Sequence, residues 1–64
     1  MKSLHEIIEE IGAYKYKEEI ILGYLRYESL RKLSPMEYTA LYQRNLHGEN
    51  FDEMVTKIVI EDNQ

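Results

Sequence analysis

The sequence predicts an all-α fold, a small bundle of three to four helices at about 4–12, 16–33, 35–45 and 51–60. Three observations carry this expectation. Apolar residues recur at i, i+3, i+4 and i+7 along the chain, the spacing that gathers them on one helix face. Helix starts are marked at Ser3, Ser34 and Asn50, each with a glutamate three residues on. Gly12 and Gly48 fall where apolar stripes end, and glycine accepts the left-handed conformation that follows a helix.

In the first helix, Leu4, Ile7, Ile8 and Ile11 share a face, with Glu6, Glu9 and Glu10 opposite. Ala13-Tyr14-Lys15-Tyr16-Lys17 alternates and reads as a short connection, although a helix running through it stays open. The second helix starts near Tyr16 and ends near Leu33. Glu18 and Glu19 in its first turn, with Arg31 and Lys32 in its last, suit the macrodipole, and Glu28 is placed to pair with Lys32. Its apolar set is Ile20, Ile21, Leu22, Tyr24, Leu25, Tyr27, Leu30 and Leu33. That set is too wide for one stripe, so at least two faces need cover. Gly23 costs about 1 kcal/mol relative to alanine in mid-helix; it either admits a second helix closely or is simply tolerated.

Ser34-Pro35-Met36-Glu37 opens the third helix. The Ser34 oxygen accepts from backbone, Pro35 lacks an N–H that would be unpaired there, and Glu37 reaches back. Tyr38, Leu41 and Tyr42 share a face beside Ala40. The fourth helix is capped by Asn50, carries the stripe Phe51, Met54, Val55 and Ile58, and has Glu53 four residues before Lys57. Val59-Ile60 either extends that run or forms a short extended end, and the polar residues 61–64 are expected to fray. The predicted core is Leu4, Ile7, Ile8, Ile11, Ile21, Leu25, Leu41, Met54, Val55 and Ile58.

A chain of 64 residues is a single domain, and at this size it buries only about 60% of its unfolded surface. With no cysteine it has neither disulfide nor thiolate metal site, and two histidines do not close a structural zinc site. No cofactor is expected. Association is the remaining stabiliser, so a homodimer is expected. Lack of cysteine fits a reducing compartment. No run approaches the ~20 apolar residues of a membrane span, and the N-terminus turns acidic before a signal-peptide core could form. The expectation is a soluble cytoplasmic protein without membrane contact. Richness in Lys, Glu, Ile and Asn suggests an AT-rich bacterial or phage genome.

Net charge is −4. Residues 1–25 hold three Lys against five Glu, residues 26–44 four basic against two acidic residues, and residues 45–64 one Lys against five carboxylates. The only basic segment is weakly so, and a nucleic-acid partner is not expected. His5 and Glu9 could share one side of a helix, but a metal needs three or four ligands. His47 beside Gly48 fits a local role at a helix end. Nothing resembles a nucleophile motif or phosphate loop, and surface carboxylates lack a pocket to split their pKa values. No enzymatic activity is expected.

The unusual feature is six tyrosines beside one Phe and no Trp. Tyrosine has an apolar body and a polar tip, so these residues suit either an interface or the rim of a small core. On the second helix Tyr24 and Tyr27 stand near Ile20, Arg26 and Arg31, and Tyr and Arg are enriched at binding hot spots. Ile20, Tyr24, Arg26, Tyr27 and Arg31 are therefore the candidate interface, toward a second copy or a host protein.

Residues Leu30, Leu33, Ser34, Pro35, Glu37, Leu41, Arg44, Leu46, Gly48, Phe51, Glu53, Met54 and Val55 form a pattern of their own. The segment 30–58 resembles the C-terminal region of bacterial sigma factors and related phage regulators. In that family a segment like 51–58 is the first helix of a helix-turn-helix, and a basic recognition helix follows. Here the acidic residues 59–64 stand in its place, so the resemblance is truncated before the recognition helix. It implies a small regulator that contacts host transcription or replication proteins. The alternative is a degenerate helix-turn-helix protein that binds DNA through the weakly basic segment 26–44.

Overall fold

The computed structural model describes residues 1–12 and 15–64. Among them are four α-helices and no strand: α1 (Leu4–Ile11), α2 (Glu18–Arg31), α3 (Pro35–Leu46) and α4 (Phe51–Asp62). The protein is a small all-α bundle. Ala13 and Tyr14, which fall in the expected connection, lie outside the described residues.

The helix starts follow the capping chemistry. Ser3 Oγ accepts from the Glu6 N–H at 3.2 Å, and Asn50 Oδ1 from the Glu53 N–H at 3.0 Å. At α3 the box is reciprocal. Ser34 Oγ accepts from the Glu37 N–H at 3.2 Å, and Glu37 Oε1 accepts from the Ser34 N–H at 3.1 Å. Gly12 (φ 125°) and Gly48 (φ 101°) turn the chain out of α1 and α3 through backbone that a Cβ would strain.

α2 begins two residues later than the sequence predicts. The Lys15 and Tyr16 N–H groups both donate to the Gly12 carbonyl, at 2.8 and 3.3 Å, which commits them to the turn. α2 also ends earlier, at Arg31, where the Leu33 N–H folds back to the Leu30 carbonyl. α4 runs past the predicted Ile60 to Asp62. Its end is closed by two side chains. Asn63 Nδ2 donates to the Val59 carbonyl and Gln64 Nε2 to the Ile60 carbonyl, both at 2.8 Å, so side-chain amides satisfy carbonyls that the helix leaves open.

The core has two parts joined by α4. Ile7, Ile8, Ile21, Leu25 and Val59 form one, with Leu4, Leu22 and Ile60 packed against them. Leu41, Met54 and Val55 form the other, with Leu30, Leu33, Phe51 and Ile58 around them. Helix α2, the longest, packs most extensively on α4. Two expectations about the core need correcting. Ile11 is 45% exposed, because the first turn of α2 covers that end of α1 only in part. Val59, absent from the predicted core, is fully buried where α4 crosses α1 and α2.

Candidate protein-interaction surface

Helix α2 is apolar on two sides. Ile21, Leu25 and Ser29, at i, i+4 and i+8, are buried against the bundle. Ile20, Tyr24 and Tyr27, at i, i+4 and i+7, form a second stripe that no described residue covers, with exposures of 57%, 58% and 65%. This explains why the apolar set looked too broad for one face. Arg31 continues the outer stripe one turn on, its Nε donating to Glu28 Oε2 at 3.1 Å. That pairing takes the place of the expected Glu28–Lys32 pair.

Four of the five candidate interface residues, Ile20, Tyr24, Tyr27 and Arg31, are thus brought onto one stripe. Arg26 is not among them. At about 100° per residue it points roughly 160° away from Tyr24 and about 100° away from Tyr27, toward α4. There its Nη2 donates to Thr56 Oγ1 at 3.1 Å, and its Nη1 lies 4.0 Å from Asp52 Oδ1. Its Nε is buried with no hydrogen-bond partner among the described residues. Arg26 joins α2 to α4 and does not share the face that carries Tyr24 and Tyr27.

At its N-terminal end the outer stripe opens into a groove of about 330 Å³ lined by Ile11, Tyr16, Ile20, Ile21 and Tyr24. Ile11 and Tyr16 are additions that the sequence reading placed elsewhere, one in the core and one inside a helix. Their signal was the wide apolar set of α2, which required cover that a short first helix does not supply. The five described tyrosines are all exposed, so none serves as a buried core residue; Tyr14 lies outside the described residues. Gly23 is exposed beside the stripe, and a Cβ built there meets nothing within 4 Å. No described helix packs into that space.

Other constellations are local. His5 Nε2 and Glu9 Oε1 are 3.0 Å apart on the exposed side of α1. Among the described residues no three His, Cys, Asp or Glu side chains converge to hold a metal ion. His47 caps α3 through its backbone N–H. The Glu37 carboxylate is perturbed by the cap it helps to form. The Ser34 backbone N–H, then the Ser34 hydroxyl, hold its carboxylate below the ordinary glutamate range. The arginines of the basic segment have carboxylates beside them: Arg26 near Asp52, Arg31 on Glu28, and Arg44 on Glu49 at 2.7 Å.

No described helix is long and apolar enough to cross a membrane. The chain matches no known family model, no curated protein and no solved structure.

Proposed function

We propose that this chain is a non-enzymatic protein–protein interaction module that works through the outer face of α2. One observation carries the reading: Ile20, Tyr24 and Tyr27 are large, in register on one helix, and all more than half exposed. Isolated exposed apolar residues are ordinary, but a contiguous stripe leading into an apolar groove is the surface a partner helix covers. Tyrosine fits such a site because its ring gives contact area while its hydroxyl tolerates water in the free state. The likeness of residues 30–58 to sigma-factor C-terminal regions supports a bacterial or phage regulator. Its partners would then be itself or a host transcription or replication protein. Absence of cysteine supports action in the reducing cytoplasm.

DNA binding through residues 26–44 has less support. Arg31 and Arg44 are ion-paired and Arg26 is drawn onto α4, so little positive charge is left for phosphates. Binding measured across a salt series separates the two. A DNA contact weakens steeply with salt, whereas an apolar helix face does not. For the proposed reading, the Tyr24→Ser, Tyr27→Ser double variant is compared with the parent by sedimentation equilibrium and partner titration. Association weakened by about tenfold or more supports the α2 face, and unchanged association removes it.

A further inference from the structure

We infer that the polypeptide seated on the α2 face is a second copy of the chain, its α2 running antiparallel to the first about a two-fold axis beside Gly23. The inference rests on reading the outer face of α2 as the contact surface.

Three features of that helix point to self-pairing. The first is Gly23. It is the i+3 neighbour of Ile20, as Tyr24 is the i+4 neighbour, so it sits beside the middle of the exposed stripe. Glycine weakens a helix, and among the described residues nothing lies within 4 Å of where its side chain would begin. A second helix crossing there would use that space, with one copy's Tyr24 ring lying over the other's Gly23.

The second feature is the order of charge. Helix α2 starts with Glu18 and Glu19 and ends with Arg31 and Lys32. Gly23 lies near its midpoint. An antiparallel pair opposes the two macrodipoles, whereas a parallel pair sets like ends side by side. Lys17 and Glu28 flank one edge of the stripe about three turns apart, and the same two-fold brings each toward its opposite on the other copy. A surface that complements itself on rotation is what an isologous dimer requires.

The third feature is size. Ile11, Tyr16, Ile20, Tyr24 and Tyr27 together expose on the order of 600 Å². A standard interface buries ~800 Å² per partner, and the aliphatic stems of Lys17, Glu28 and Arg31 extend the patch toward that value.

The chain has no cysteine, so single-cysteine variants report proximity directly. Gly23→Cys, Ile20→Cys and Tyr27→Cys are oxidised mildly and read on non-reducing gels. In an antiparallel pair centred at Gly23, only Gly23→Cys cross-links. Positions 20 and 27 are displaced from their symmetry mates by about 9 and 12 Å along the helix, beyond the ~7 Å that a disulfide tolerates. Cross-linking at all three positions means a parallel pair and overturns the inference. Sedimentation equilibrium of the parent and of Gly23→Leu supplies the second arm. Leucine has room in the single chain, so the melting temperature at dilution holds or rises, while dimer dissociation strengthens by about tenfold or more. A parent that stays at 7.7 kDa throughout a concentration series overturns self-pairing and leaves the α2 face to a different protein. A dimer unmoved by Gly23→Leu and by the double tyrosine variant overturns both this inference and the α2 reading.

Discussion

Gln64 and Lys2 hold each other through two reciprocal hydrogen bonds. Gln64 Oε1 accepts from the Lys2 N–H at 2.7 Å, and Gln64 Nε2 donates to the Lys2 carbonyl at 2.8 Å. The same Nε2 reaches the Ile60 carbonyl at 2.8 Å. One amide thus closes the end of α4 and ties it to the segment that leads into α1. Both helices feed the core part built on Ile7, Ile8 and Val59.

Gln64→Ala removes all three hydrogen bonds. Because the groups are exposed and water replaces much of what is lost, the expected cost is about 1 kcal/mol. For a domain of this size that lowers the melting temperature by roughly 4–8 °C. Thermal unfolding followed by far-ultraviolet circular dichroism checks it. An unchanged melting temperature would mean that water takes over the clasp completely.

Ser34→Ala should destabilise by about 1 kcal/mol, since it strips the side-chain cap from α3. The same box predicts a pH effect. Folding lowers the pKa of Glu37, first through the Ser34 backbone N–H and then through its hydroxyl. A lowered folded pKa means stability that is present above the unfolded value, about 4.3, and is lost as pH falls through the folded value. Denaturant titrations below pH 5 should therefore show a steeper loss in the parent than in Glu37→Gln. Parallel pH profiles would show that the box contributes nothing through its charge.

Val59→Ala should be among the more damaging conservative changes in the chain, at about 2 kcal/mol or more, because Val59 is fully buried between three helices. Ile11→Ala removes more atoms from a half-exposed site and should cost less. Urea unfolding of the two variants gives the order directly. The reverse order would contradict the burial of the fourth helix against the first two.

That contrast shows where the sequence was informative. Caps at Ser3, Ser34 and Asn50 were legible because a cap is decided by residues three apart, whatever the rest of the chain does. The second apolar face of α2 was legible too, since Ile20-Ile21-Leu22 and Tyr24 are too wide to be buried on one side. Val59 was not legible. A β-branched pair next to four polar residues reads equally as a helix end or a strand, and only α1 packing across it decides. Ile11 failed for the converse reason: its spacing is right for the core, but cover depends on where α2 begins, and the turn through Gly12 delays that start. Grouping Arg26 with Tyr24 and Tyr27 followed proximity in sequence, whereas two residues along a helix is more than half a turn of rotation.

Arg26 gives the last prediction. Its guanidinium joins α2 to Thr56 on α4, while its buried Nε has no hydrogen-bond partner among the described residues. An unpaired buried donor is costly, and a charge brought 4.0 Å from Asp52 across a partly solvated gap returns little. Arg26→Met keeps the aliphatic stem and removes both the unpaired Nε and the charge, so stability should change by less than about 1 kcal/mol. Arg26→Ala also removes the stem from the α2–α4 contact and should cost more, about 1–2 kcal/mol. Neither change should alter association by more than about twofold, because Arg26 faces α4 and not the outer stripe. Urea unfolding and sedimentation equilibrium on the same samples separate the two readouts. A loss of association in Arg26→Met with stability intact would return Arg26 to the interface and move the contact surface toward the α2–α4 seam.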